Sequence, residues 1–119
     1  MENVIDLDIL RPKERKVKLA GVVLDVSYIP CGITFEVDAT IRALAGIDQT
    51  KLGKDENVTK KGFDLTIELC SIFASVKHPE MTPGWFKENC SLEQINVLAN
   101  TIKDSLNDSY LGVERYGKN

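Results

Sequence analysis

The chain is poor in the residues from which active sites are commonly built. It has one histidine, His78, and three cysteines, Cys31, Cys70 and Cys90, far apart in the sequence. No Cys-x-x-Cys pair is present to ligate a metal. There is no glycine-rich phosphate loop and no Gly-x-Ser-x-Gly elbow. An odd cysteine count without a signal peptide fits a reducing cytoplasm. Charge of one sign is also lacking: the formal net charge is −3, with the two signs interleaved. The clustered basic face that nucleic acid requires is therefore missing. The nearest approach to one, Arg11, Lys13, Arg15, Lys16 and Lys18, reads as a solvated approach to a strand. No hydrophobic run is long enough to span a membrane, since Lys60, Lys61, Asp64, Glu68 and Lys77 interrupt the most apolar stretch. The expectation is a chain with no catalytic residue, no metal, no cofactor, no nucleic acid and no membrane partner. Cys70 reads as a small core residue. His78 stands where a cation would favour a helix dipole.

What is present is apolar periodicity. A chain of 119 residues makes one domain large enough to bury a core unaided. Its organising stretch runs from Asn57 to His78. Val58, Leu65, Leu69, Ile72, Phe73 and Val76 recur at helical spacing with Gly62, and a second stripe passes through Phe63, Ile67, Cys70 and Ala74. Two stripes leave a narrow polar strip, which predicts a central helix buried on most of its circumference. Asn57 is expected to cap it and Pro79 to stop it.

Before that helix, residues 2–10 alternate, with Ile5, Leu7 and Ile9 on one side and Asp6 and Asp8 on the other. This predicts a short strand or extended arm with one apolar face. The paired aspartates read as solvent-facing, with no third ligand nearby. Residues 15–29 form the clearest hairpin. A turn at Ala20-Gly21 sets Leu19 opposite Val22, Val17 opposite Leu24, Lys18 opposite Val23 and Lys16 opposite Asp25. Gly21 supplies a positive φ, whereas Ala20 suits a two-residue turn poorly and leaves a longer bulged loop open. Ile33, Val37, Ile41 and Leu44 predict a helix from Thr34 to Ala45, closed by Gly46. The polar stretch Asp48–Glu56 is a surface loop, suited to flexibility or to a partner site.

After the central helix, Thr82-Pro83 is an N-cap and first-turn pair opening a one- or two-turn helix. Met81, Trp85 and Phe86 cluster there. They read either as a lid on the core, the favoured reading, or as an interface that anchors a partner. Ser91 and Gln94 make a capping box. The stripe Leu92, Ile95, Leu98, Ala99, Ile102, Leu106 and Tyr110 predicts a helix buried on one face, with Gly112 ending it and residues 113–119 as a polar tail. Strands first and helices later give α+β: a small N-terminal antiparallel hairpin followed by about three main helices. In this reading residues 1–119 are a single domain, β-rich over 1–30 and helical over 33–112.

The order of these parts carries a resemblance. An acidic-apolar arm, a Lys-rich strand, a glycine turn and VVLDVSYIP are followed by CGITFEVDATIRAL, a polar loop and one long apolar helix. In this order the chain resembles the small tail assembly chaperones of long-tailed bacteriophages. The resemblance implies a non-enzymatic protein of the host bacterial cytoplasm. It would bind the tape measure protein and recruit tail tube protein during tail morphogenesis, and would be absent from the finished particle. A homo-oligomer is compatible with it. The family has no catalytic or cofactor-binding residues to transfer. The alternative class is a structural virion or head–tail joining protein. The resemblance also implies a longer form made by a −1 ribosomal slip. Gly117-Lys118-Asn119 can be encoded GGA-AAA-AAC, which permits such a programmed frameshift.

Overall fold

The computed structural model describes residues 4–10 and 13–117, with side chains up to residue 108. A two-stranded antiparallel hairpin, β1 (Lys16–Leu19) and β2 (Val22–Asp25), precedes four helices: α1 (Thr34–Ala45), α2 (Glu56–Ala74), α3 (Pro83–Asn89) and α4 (Leu92–Gly117). The fold is α+β and mostly helical.

The hairpin has the register that alternation predicts: Lys16 pairs with Asp25, Val17 with Leu24, Lys18 with Val23 and Leu19 with Val22. Its turn is the tight form. Ala20 and Gly21 have φ of 50° and 81°, the left-handed conformation that a two-residue turn of matching twist demands at both positions. One face, carrying Leu19, Leu24 and then Val26, is buried, while Val23 on the other is exposed. The approach to β1 is not uniformly solvated. Arg15 pairs with Asp108 of α4, its N–H donates to the Ser27 hydroxyl at 2.9 Å, and its carbonyl accepts from Val26 N–H at 2.8 Å.

Residues 4–10 do not form a strand. Leu7–Leu10 make one 3₁₀ turn without a buried residue. A strand needs a neighbour to satisfy its backbone, and among the described residues no strand pairs with this segment; instead the Asp8 N–H donates to the Asp6 carboxylate, Oδ1, at 3.0 Å.

Helix α1 has the predicted bounds, with Gly46 as its C-cap in right-handed conformation. Helix α2 is the hub and packs against α1, α3 and α4. Asp55, rather than Asn57, caps it: the Asp55 carboxylate accepts from Asn57 N–H at 3.0 Å and Val58 N–H at 3.3 Å. The helix ends at Ala74 with Ser75 as C-cap. Pro79 therefore lies beyond its end, as does His78, whose Nδ1 stands 3.7 Å from Glu80 Oε1. Burial of α2 is confined to its second half, where Ile67, Leu69, Cys70, Phe73 and Ala74 are buried. Its first half has no buried residue, which corrects the expectation of a helix covered all along.

Thr82 caps α3 by accepting from Trp85 N–H, and Pro83 occupies the first turn. The Ser91–Gln94 capping box is reciprocal, at 2.8 and 3.2 Å. Helix α4 continues through Gly112 to Gly117, so residues 113–117 are helical rather than a tail. One interior glycine costs about 1 kcal/mol, too little to stop a helix already propagating. Lys118 and Asn119 of the predicted slip site lie outside the described residues, as does the side chain of Tyr110. Leu92, the first member of the predicted α4 stripe, is 56% exposed; Ile95, Leu98, Ala99, Ile102 and Leu106 are buried.

Candidate functional site

The unburied first half of α2 is one wall of a groove of about 1030 Å³. Its apolar lining comes from separate segments: Ile41 and Leu44 of α1, Leu52 of the following loop, Phe63 of α2 and Leu92 of α4, with Ile47 at the end of α1. Leu52 and Leu92 are exposed and the others half-buried. These residues are hydrophobic yet none is fully buried, which is the form a docking surface takes rather than a core.

The wall contributed by the 48–56 loop is built by hydrogen bonds. Asp48 accepts from Thr50 N–H at 3.0 Å and from the Thr50 hydroxyl at 2.6 Å, closing a 3₁₀ turn at Gln49–Lys51. These bonds hold the Asp48 carboxyl below its ordinary range, the hydroxyl bond being the larger cause. Asp55 N–H donates to the Lys51 carbonyl at 2.8 Å. Gly53, at a φ of 79°, turns its N–H towards the Thr59 hydroxyl of α2 at 2.7 Å. Both ends of the loop are thus tied down, which counts against the flexible half of the sequence expectation. Gly62 sits on the groove floor, and a Cβ there would stand 3.5 Å from Leu52 Cδ2 and 3.6 Å from Ile47 Cδ1. The loop and α1 close down on α2 at that point without needing glycine.

The rim is basic. Lys54, Lys60 and Lys103 line the groove against a single acid, Glu56. None of the three lysines is in an ion pair with a described residue.

The three residues expected at an interface lie elsewhere, around α3. Met81 and Phe86 are fully buried, so neither can touch a partner in this conformation. Trp85 is half-buried against the core with its ring edge-on to Phe86, centroids 5.1 Å apart. The geometry fits the lid, and only Trp85 of the three reaches the surface. Sequence reasoning missed the groove because its apolar residues come from four separate segments, α1 and its end, the 48–56 loop, α2 and α4, and no one of them reveals it alone. The one signal available was an apolar α2 flanked by a loop too short to cover it.

The chemistry of the cysteines is muted. Cys70 is buried, its thiol donating to the Ile95 carbonyl at 3.5 Å. Burial, with Cys90 nearby, pushes that thiol up to about 12. Cys90 is raised too, by burial, and Cys31 is exposed. Among the described residues no group of three or more His, Cys, Asp or Glu is placed to hold a metal ion, and no helix is long and apolar enough to cross a membrane.

No family model, curated protein or solved structure matches the chain.

Proposed function

We propose that this chain is a non-catalytic tail assembly chaperone of a long-tailed phage or prophage. In this reading the groove holds an apolar segment of the tape measure protein while tail tube protein is recruited. The observation that carries the proposal is the groove itself: apolar side chains from four segments, none of them fully buried, on a wall fixed by hydrogen bonds. About 1030 Å³ accommodates roughly two turns of a helix some 10–12 Å across. Helix-in-groove recognition uses apolar anchors at such spacing. The resemblance in element order supplies the identity of the cargo.

The test is co-expression of the full chain with tape measure fragments from the same genome. A fragment should co-purify with the wild type, and capture should fall at least tenfold for Leu52→Asp, a change at an exposed residue that leaves the core intact. Position of the gene between those for tail tube and tape measure, and absence of the protein from purified virions, are the accompanying expectations. Persistence in the particle would instead favour the structural virion or head–tail joining role. For the frameshift, the codons for residues 117–119 and an overlapping −1 frame decide.

A further inference from the structure

The chain carries two unmet surfaces that complement each other. One is the groove, with an apolar floor and, on its rim, Lys54, Lys60 and Lys103, none ion-paired with a described residue. The other is the arm at residues 4–10. Val4, Ile5, Leu7, Ile9 and Leu10 are 81, 81, 66, 68 and 49% exposed, and Asp6 and Asp8 alternate with them. A single exposed leucine is ordinary; five large apolar residues within seven, with no buried neighbour, are not. The arm is acidic and apolar where the groove is basic and apolar, so each satisfies what the other lacks.

We propose that the arm of one copy of this chain docks in the groove of a second copy. Placement argues for exchange between copies over folding back. On α4, Leu92, Asn96 and Lys103 line the groove and fall within about 40° of one another on a helical projection. Gln94, Val97 and Leu98, which flank β1, lie on roughly the opposite side of the helix. The arm leaves from β1, whose approach is fastened by Arg15 to Asp108 of α4 and to Ser27. β1, into which the arm leads, therefore lies across α4 from the groove of its own chain. A donor and an acceptor on different faces make a head-to-tail contact. The arm would occupy the same groove that the chaperone reading assigns to the tape measure, as its occupant before cargo arrives. The proposal deepens that reading but is tested without cargo, so either can fail while the other stands.

The experiment is sedimentation equilibrium of the full chain alone. Concentration-dependent self-association is expected, weakened at least tenfold by the joint change Leu7→Ser and Ile9→Ser. Those residues are exposed, so the fold is untouched. Lys60→Glu with Lys103→Glu should weaken it as well, and mixing that variant with one carrying Asp6→Lys and Asp8→Lys should restore association between the two. In a Cys31→Ser background, copies bearing Leu7→Cys mixed with copies bearing Leu52→Cys should cross-link as pairs under mild oxidation. A wild type that stays monomeric into the millimolar range overturns the proposal. Association indifferent to the arm does so too, as does a cross-link that forms only within a chain carrying both cysteines.

Discussion

The Ser105 hydroxyl donates to the Val26 carbonyl, joining α4 to the end of the hairpin across 79 positions of sequence. Both residues are fully buried. The strand has ended at Asp25, so the Val26 carbonyl is left without a ladder partner and α4 supplies one. Ser71 does the same inside the helical part, donating to the Met81 carbonyl at 2.9 Å. Two buried serines thus satisfy backbone at the places where regular structure gives out.

Ser105→Ala should therefore destabilise the protein by about 1–3 kcal/mol, the cost of orphaning a buried acceptor. A lowered melting temperature by circular dichroism, with an unchanged spectrum at low temperature, checks it. A variant as stable as the wild type would mean that water or a relaxed backbone satisfies Val26.

Asp25 makes the hairpin's stability depend on pH. Its carboxyl accepts from the Ser27 hydroxyl at 2.5 Å and the Ser27 N–H at 3.0 Å. The hydroxyl bond, then the N–H bond, hold it below the usual carboxylate range, with Lys77 and Lys16 adding. A depressed folded-state pKa gives stability that is complete above the unfolded value, near 4. That stability is lost as pH falls through the folded value. Ser27→Ala removes the larger cause, so its deficit against wild type should be greatest at neutral pH and shrink towards pH 2–3. Urea unfolding at both ends of that range measures it; a deficit independent of pH would assign the whole effect to the Arg15 N–H bond.

Ala20 holds a φ of 50°, which costs an L-residue with a Cβ roughly 1 kcal/mol. Ala20→Asn creates the Asn-Gly pair that such turns favour. Because residue 20 is exposed, nothing else changes. A gain of about 0.5–1 kcal/mol is expected, read as a raised urea midpoint at constant slope.

Thiol labelling should report the burial order. Cys31 should react at once with a disulfide reagent, Cys90 more slowly, and Cys70 only on unfolding, because its thiol is both enclosed and pushed up to about 12. Three equivalents reacting promptly in buffer would show that the α2–α4 seam opens readily.

Trp85→Ala should lower stability by about 2 kcal/mol, less than a fully buried aromatic would cost. Capture of a tape measure fragment by the folded variant should be unchanged. Intact stability with lost capture would restore Trp85 as a partner anchor.

Much of the fold was present in local pattern. The hairpin register followed from period-two alternation around Ala20-Gly21, because a slip of one residue would turn Leu19 and Leu24 to water. The bounds of α1 and the Ser91 box were equally local, since caps are settled within four residues. What sequence left undecided depended on what lay around each segment, in space or along the chain. The 4–10 segment alternates like a strand, but among the described residues no strand pairs with it. Gly112 looks like a stop, but a helix already propagating passes through it. The stripes of α2 predict burial along its whole length, and tertiary structure buries residues fully only from Ile67 onward. Hydrophobicity determines that a residue will seek cover; the packing of distant segments decides whether it finds any. Leu52 and Leu92 stay exposed and Phe63 half-buried in the groove, because no described segment packs over that side of α2.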